Sequence, residues 1–445
     1  MEHARKSFSL NHLQSALWGI FFSAVYFVAV TLVLRDYAAV EWEIYRIYFG
    51  RIDSYDVLAV TVFLTISGAI VPRHISTPSS LFAIITYIFI VIPAAVCLVA
   101  MDGATPANRY LTLLFILIGF YIIGSVSTSD IDSADPGREP AAWLAPLLLI
   151  LAVALMIYLY IRFGSIMSFA SLDTLYEQRE RGAANNFIDG YAQTYSQYVF
   201  STGVFAFGLY KKNIAYIAIG LAGTVMNFAI TAEKAGAMYP IFIIFLFFAL
   251  VSKRKILVST NFLMAGLSSL LVFSIYTRAE LPTSDFVSWY LGTRTILTPG
   301  VFITHYTDFF FDRGYTYFSH LRGLNFFVTV PIQYVNDVRW PSIGLIVGED
   351  FIGFPQLNAN ANFVASDGIA SLGLMGIIVA FVILAVIMKT FDRVGHGVPK
   401  PLLLSLVLPI ALSLANGSAL SVLTSTGGFF WIILLAYAFK RRQVE

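Results

Sequence analysis

Cysteine occurs once in the 445 residues, as Cys97 inside an apolar run, so internal disulfides and cysteine-based metal sites are excluded. Charge is scarce as well. Asp, Glu, Lys and Arg make up 12% of the chain, against roughly 25% in soluble domains, whereas 58% is hydrophobic. With a mean hydropathy of +0.77, this is the composition of an integral membrane protein. The net charge of +2 points to no nucleic acid, because the basic residues sit at the ends of hydrophobic runs. There is no Walker loop, no GxSxG elbow and no HExxH zinc motif. The first apolar stretch, 16–34, is too long for a cleaved signal core and reads as an uncleaved first helix.

At ~20 residues per crossing, the chain divides into twelve hydrophobic segments: 14–34, 56–71, 81–101, 110–127, 142–162, 192–210, 213–232, 236–251, 256–277, 362–388, 401–420 and 427–439. The fold class expected is an all-α polytopic bundle of about 12 transmembrane helices, with residues 1–445 forming a single transmembrane domain. Alternate connections fall into two sets. One carries Arg5, Lys6, Arg73, His74, Lys211, Lys212, Lys253, Arg254, Lys255, Lys389, Arg393, Lys400, Lys440, Arg441 and Arg442. The positive-inside rule places this set, and both termini, in the cytoplasm. Segment 128–141 is acidic and departs from the pattern, although Asp and Glu weigh little in that rule.

The other set then faces outward and holds every long connection, above all 278–361 between the ninth and tenth segments. That tract alternates aromatics with Arg, Asp, His and Glu. Aromatics in VFITHYTDFFFDRGYTYFSHLRG recur three and four residues apart, which predicts short helices lying in the headgroup region. A transporter has little use for so large a loop. An enzyme acting on a lipid-attached substrate at the membrane surface does.

Arg179, Arg181, Lys234, Arg278, Arg294, Arg313, Arg322 and Arg339 all fall on the outer side, against the usual bias. An anionic substrate explains them, and a pyrophosphate-linked lipid suits best, since guanidinium forks match phosphate oxygens and lysine adds a compact charge. Lys234 lies in the short connection TAEKAGAMYP, where it either grips a diphosphate or snorkels to headgroups and pairs with Glu233. Arg179 and Arg181 belong to LYEQRERG, which also reads as a solvated helical face with a Glu177–Arg181 pair. Acid–base candidates are Glu349, Asp350, Asp308, His305, His320 and Asp367. Trp289, Tyr290, Tyr306, Tyr315, Tyr317 and Trp340 suit sugar faces or an interfacial belt equally. No metal site stands out; the acidic loop 35–55 matches no ligand pattern.

The stretch NANANFVASDGIASLGLMGIIVAF, with its Gly373–Leu374–Met375–Gly376 step, resembles the Wzy-type O-antigen and oligosaccharide repeat-unit polymerases, relatives of the O-antigen ligases. TAEKAGAMYPIFIIFLF is similar to that family's small-residue turn with a basic residue, and the likeness spans roughly residues 165–390. The resemblance implies a GT-C-like bundle with a large periplasmic loop in the bacterial inner membrane. It also implies transfer of a glycan from undecaprenyl pyrophosphate to a second lipid-linked repeat unit. No cofactor is implied. The implied partners are undecaprenyl-pyrophosphate-linked glycans, membrane lipids and a chain-length regulator.

On this reading Arg179, Arg181, Lys234, Arg278, Arg294 and Arg322 bind the pyrophosphate. Glu349 or His305 activates the acceptor with Asp367, and Asn360 and Asn362 shape the site. Ligases place a histidine beside the motif asparagine; Ala361 stands there, which favours a polymerase. A ligase, and a lipid-linked oligosaccharide flippase with charges lining its spans, are the alternatives.

Overall fold

The computed structural model describes residues 2–102, 106–127, 137–169, 175–184, 186–252, 254–321, 323–355 and 357–441, without the side chains of 2–12, 106, 175, 176, 234, 235, 440 and 441. The chain is 78% helix with almost no strand, as a polytopic membrane protein requires, because a helix satisfies its own backbone in lipid. Among the described residues seven helices are long and apolar enough to cross a bilayer: Leu13–Glu41, Pro78–Ala100, Ala107–Ser127, Leu144–Ile166, Ile214–Thr231, Thr260–Thr277 and Val364–Gly395. The pair Ala419–Ser425 and Gly428–Tyr437, bent by 59°, brings the number to eight if it is one span. Ser54–Ile70, Gly236–Val251 and Lys400–Ser413 are shorter apolar helices.

Pro78–Ala100 is the inner post of the bundle, with nearly all of its side chains buried. Around it pack the first helix, Pro106–Ser127, Thr298–Arg313 and Ala370–Gly395. Thr298–Arg313 belongs to the tract expected to hold headgroup-level helices, and it packs inside the protein. The residues from Pro299 to Phe310 are buried almost without interruption, and Tyr306 is fully enclosed with its hydroxyl donated to the Ala359 carbonyl at 3.0 Å. Three- and four-residue aromatic spacing specifies an apolar helical face, and that face is covered by protein.

The tenth hydrophobic segment is broken. Leu372 and Gly373 leave helical geometry, Gly373 with φ +60°, and the preceding limb Val364–Ile369 folds back against the helix that follows. The approach is close enough that a Cβ on Gly376 would stand 2.0 Å from the Gly368 carbonyl oxygen. Asn362 fastens the limb by donating to the Pro299 carbonyl at 3.0 Å while accepting from the amides of Val364 and Ala365.

Connections gather at two ends. At one, His74 bridges Ser259, the Ser79 amide bonds Asp392 at 2.9 Å, and strand Arg138–Pro140 pairs antiparallel with Phe439–Arg441. The Arg138 guanidinium donates there to the carbonyls of Val394, Leu435 and Phe439, occupying acceptors that helix ends leave open. At the other end, Phe49 bridges Met101, Tyr195 donates to the Thr424 carbonyl at 2.9 Å, and Gln178 bonds the Ala229 and Ile230 carbonyls.

Candidate functional site

The second end carries a line of cations and rings drawn from separate segments. Arg278 follows the Thr260–Thr277 helix and lies over the Tyr37 ring at 5.2 Å. Its Nη1 is 3.9 Å from Glu41 and is buried without a hydrogen-bond partner. The residue after Glu41 is Trp42, and Arg294 sits over that ring at 5.8 Å. Arg294 and Tyr290 lie about one turn apart on the π-helical stretch Ser288–Leu297. Burial raises the Tyr290 phenol above its ordinary value. Glu233 adds to the shift, and Arg294 and Arg179 oppose it, so all three lie within electrostatic reach of that ring. Arg179 reaches the Ala232 carbonyl at 3.5 Å, one residue before Glu233. Arg278, Arg294 and Arg179 thus share one rim with Glu233, next to the start of the Lys234–Val251 helix.

Glu233 precedes that helix at the N-cap position, yet its carboxylate does not cap it. One oxygen accepts from the Tyr198 hydroxyl and the other from Gln197 Nε2 at 3.1 Å. Both donors are buried, and the Tyr239 ring packs edge-on against Tyr198. Gly236 makes the Gln197 contact possible, because the amide runs through the space a Cβ would fill.

The remaining candidates lie elsewhere. Arg181 is turned to solvent and paired with Glu177, the exposed i,i+4 alternative. Lys234 opens its helix, but its side chain lies outside the described residues, as does the whole of Arg322. Glu349 is not a free base: Arg339 binds it at 2.9 Å, and the same guanidinium holds Asp337 and Asp350. Arg313 pairs with Asp350. Asp337 is held below the usual carboxylate range by its hydrogen bonds from Arg339. Burial pushes Asp350 up, and the hydrogen bond from Arg339 together with the charge of Arg313 outweighs it.

His305 is enclosed, with its ring against Phe351 and its Nε2 3.1 Å from the Tyr45 carbonyl. A carbonyl only accepts, so Nε2 carries the proton and Nδ1 the lone pair. Burial lowers this imidazole to about 4. His320 is lowered to about 4 by the same cause and meets the Thr316 hydroxyl at 2.7 Å. Asp308 is buried in an ion pair with Arg109 at 3.3 Å. Asp367 is committed as an anchor, accepting from the Ala419 amide at 2.6 Å and the Ser366 hydroxyl at 3.1 Å. Asn362 is structural in the same sense, and Asn360 is exposed beside it.

Sequence reasoning passed over Glu233 as more than a partner for Lys234, and over Tyr198 and Gln197 altogether. The signal was available: SQYVF places a glutamine and a tyrosine inside an apolar segment, where polar groups need partners. Among the described residues no group of three or more His, Cys, Asp or Glu is arranged to hold a metal ion. No family model, no curated protein and no solved structure matches the chain.

Proposed function

We propose that the protein is a polysaccharide polymerase, a glycosyltransferase that joins undecaprenyl-pyrophosphate-linked oligosaccharide repeat units at the periplasmic face of a bacterial inner membrane. In this reading the chain crosses the membrane twelve times with both termini in the cytoplasm, and 278–361 belongs to the outer side. The grouping of connections supports that parity. The contacts between 45 and 305, 41 and 278, 109 and 308, and 195 and 424 join segments that twelve crossings put on one side. Those between 74 and 259 and between 138 and 439 join segments on the other.

The observation that carries the reading is the convergence of Arg278, Arg294 and Arg179 on one rim, Arg278 with a donor nitrogen unused. Guanidinium groups fixed before reaction stabilise charge as it develops on a departing pyrophosphate. Chain growth then needs a sugar hydroxyl presented to the anomeric carbon from the opposite side.

Reconstitution tests this directly. Purified protein in liposomes receives lipid-linked repeat units extracted from source cells lacking the protein. A ladder of lengthening glycans is the expected product. Unchanged single units rule the polymerase out. Transfer to added lipid A core without lengthening identifies a ligase instead, and movement across the bilayer without any new bond identifies a flippase.

A further inference from the structure

We propose that Glu233 is the base that takes the proton of the attacking sugar hydroxyl, held in position by Tyr198 and Gln197. This rests on the reading of the rim as a glycosyl-transfer site. The geometry separates Glu233 from the other candidate carboxylates, of which Glu41 pairs with Arg278 at 3.9 Å. Glu349 and Asp350 are held by Arg339, Asp308 by Arg109, and Asp189 by Arg162 and Tyr158. Asp367 is spent on a backbone amide. A carboxylate clasped by a guanidinium resists protonation, since taking the proton strands the cation.

Among the described residues the two donors to Glu233 are neutral, a phenol and an amide, and neither is a cation that proton uptake would strand. A carboxylate has about four acceptor positions. Among the described residues two are filled, which leaves lone pairs for a substrate. Tyr198 and Gln197 are buried while Glu233 is half-buried, so the holders lie inside and the carboxylate stands at the edge. At the N-cap position of Lys234–Val251 it makes no side-chain hydrogen bond to its own helix, and both oxygens turn to Tyr198 and Gln197.

The step balances without any further reagent. The acceptor O–H bond breaks and its proton passes to a Glu233 Oε. The acceptor oxygen bonds the anomeric carbon as the bond from that carbon to the phosphate oxygen breaks, and the electron pair leaves with undecaprenyl pyrophosphate beside Arg294 and Arg179. Water carries the proton away from Glu233 before the next cycle.

The test uses full-length protein in liposomes with repeat units extracted from source cells lacking the protein. Glu233→Gln keeps the shape and removes the basicity. Its turnover is expected to fall by roughly 10²–10⁴-fold with KM for the lipid-linked unit unchanged, and Glu233→Asp is expected to recover part of the loss. Tyr198→Phe removes the hydroxyl that positions the carboxylate, so its turnover should fall with KM unchanged. This loss also decides the matter if Glu233→Gln fails to reach the membrane. Wild-type turnover in Glu233→Gln, a raised KM with turnover retained, or wild-type turnover in Tyr198→Phe overturns the assignment while leaving the polymerase reading intact. A wild-type protein that makes no ladder overturns both.

Discussion

The side-chain nitrogen of Gln197 lies 1.8 Å from where a Cβ on Gly236 would be, so the amide occupies space that only a glycine leaves open to it. The Gln197 amide passes over Gly236 to reach Glu233. A methyl at 236 meets the far end of a flexible side chain, which can swing aside. Gly236→Ala is therefore expected to fold. It forfeits a hydrogen bond worth about 1 kcal/mol net and gains up to about 1 kcal/mol of helix propensity. Melting temperature in detergent should stay near wild type, while glycan lengthening slows. A large drop in melting temperature contradicts this account.

Arg278→Ala and Arg294→Ala each remove a cation from the rim. Loss of one preorganised charge-stabilising donor costs roughly 10²–10³-fold in turnover, and that is the range expected in the ladder assay. Lysine at either position should restore little, because the ring-stacked, forked geometry is lost. Arg181→Ala serves as the control. Its exposed pair with Glu177 belongs to the class worth at most ~1 kcal/mol, so activity and stability should stay at wild-type levels.

His305 and His320 make stability sensitive to mild acid. Both are lowered to about 4 by burial, whereas an unfolded histidine titrates near ~6.5. Between those values the unfolded chain binds protons that the folded chain refuses. The stabilisation is therefore fully present above pH ~6.5 and is lost as pH falls through the folded value, at about 1.4 kcal/mol per pH unit for each residue. Melting temperature followed from pH 7 to pH 4, values chosen to span about that window, should decline. His305→Gln and His320→Gln should each flatten the slope, and an unchanged slope in both refutes the proposal.

Gly376→Ala should be costly for a reason that Gly236→Ala escapes. Its Cβ would meet the Gly368 carbonyl oxygen at 2.0 Å, and that atom is backbone. Overpacking of this kind costs typically 1–3 kcal/mol, and the gain in helix propensity does not offset it. The expected result is a lower melting temperature and poorer recovery from membranes.

Much of the helical layout was legible, because each hydrophobic segment in the sequence overlaps helix in the fold, although among the described residues seven helices, or eight with the bent pair, are long and apolar enough to cross a bilayer. The breaks were not. The kink at Leu372–Gly373 and the π-helical stretch Ser288–Leu297 depend on what packs alongside, and hydropathy is blind to that. In the 278–361 tract, periodicity revealed apolar faces without revealing that protein covers them. At the rim, the arginines stood out because their sign is unusual for the side to which the positive-inside rule assigns them. Glu349 and His305 were selected by residue type, and type alone cannot show that Arg339 already holds the first or that Phe351 and Tyr45 enclose the second. Glu233 was overlooked for the converse reason. Its partners, Tyr198 and Gln197, are some thirty-five residues away and buried within a segment that reads as membrane.

The returning limb Val364–Ile369 has a mechanical consequence. Asn362 ties its start to Pro299, and Asp367 ties its middle to Ala419. At about 1.5 Å of rise per residue, the two knots stand less than ~10 Å apart. So short a tether has almost no slack. The helix beginning at Thr298 and the bent pair beginning at Ala419 are therefore stapled to one another through a third segment that neither of them touches in sequence.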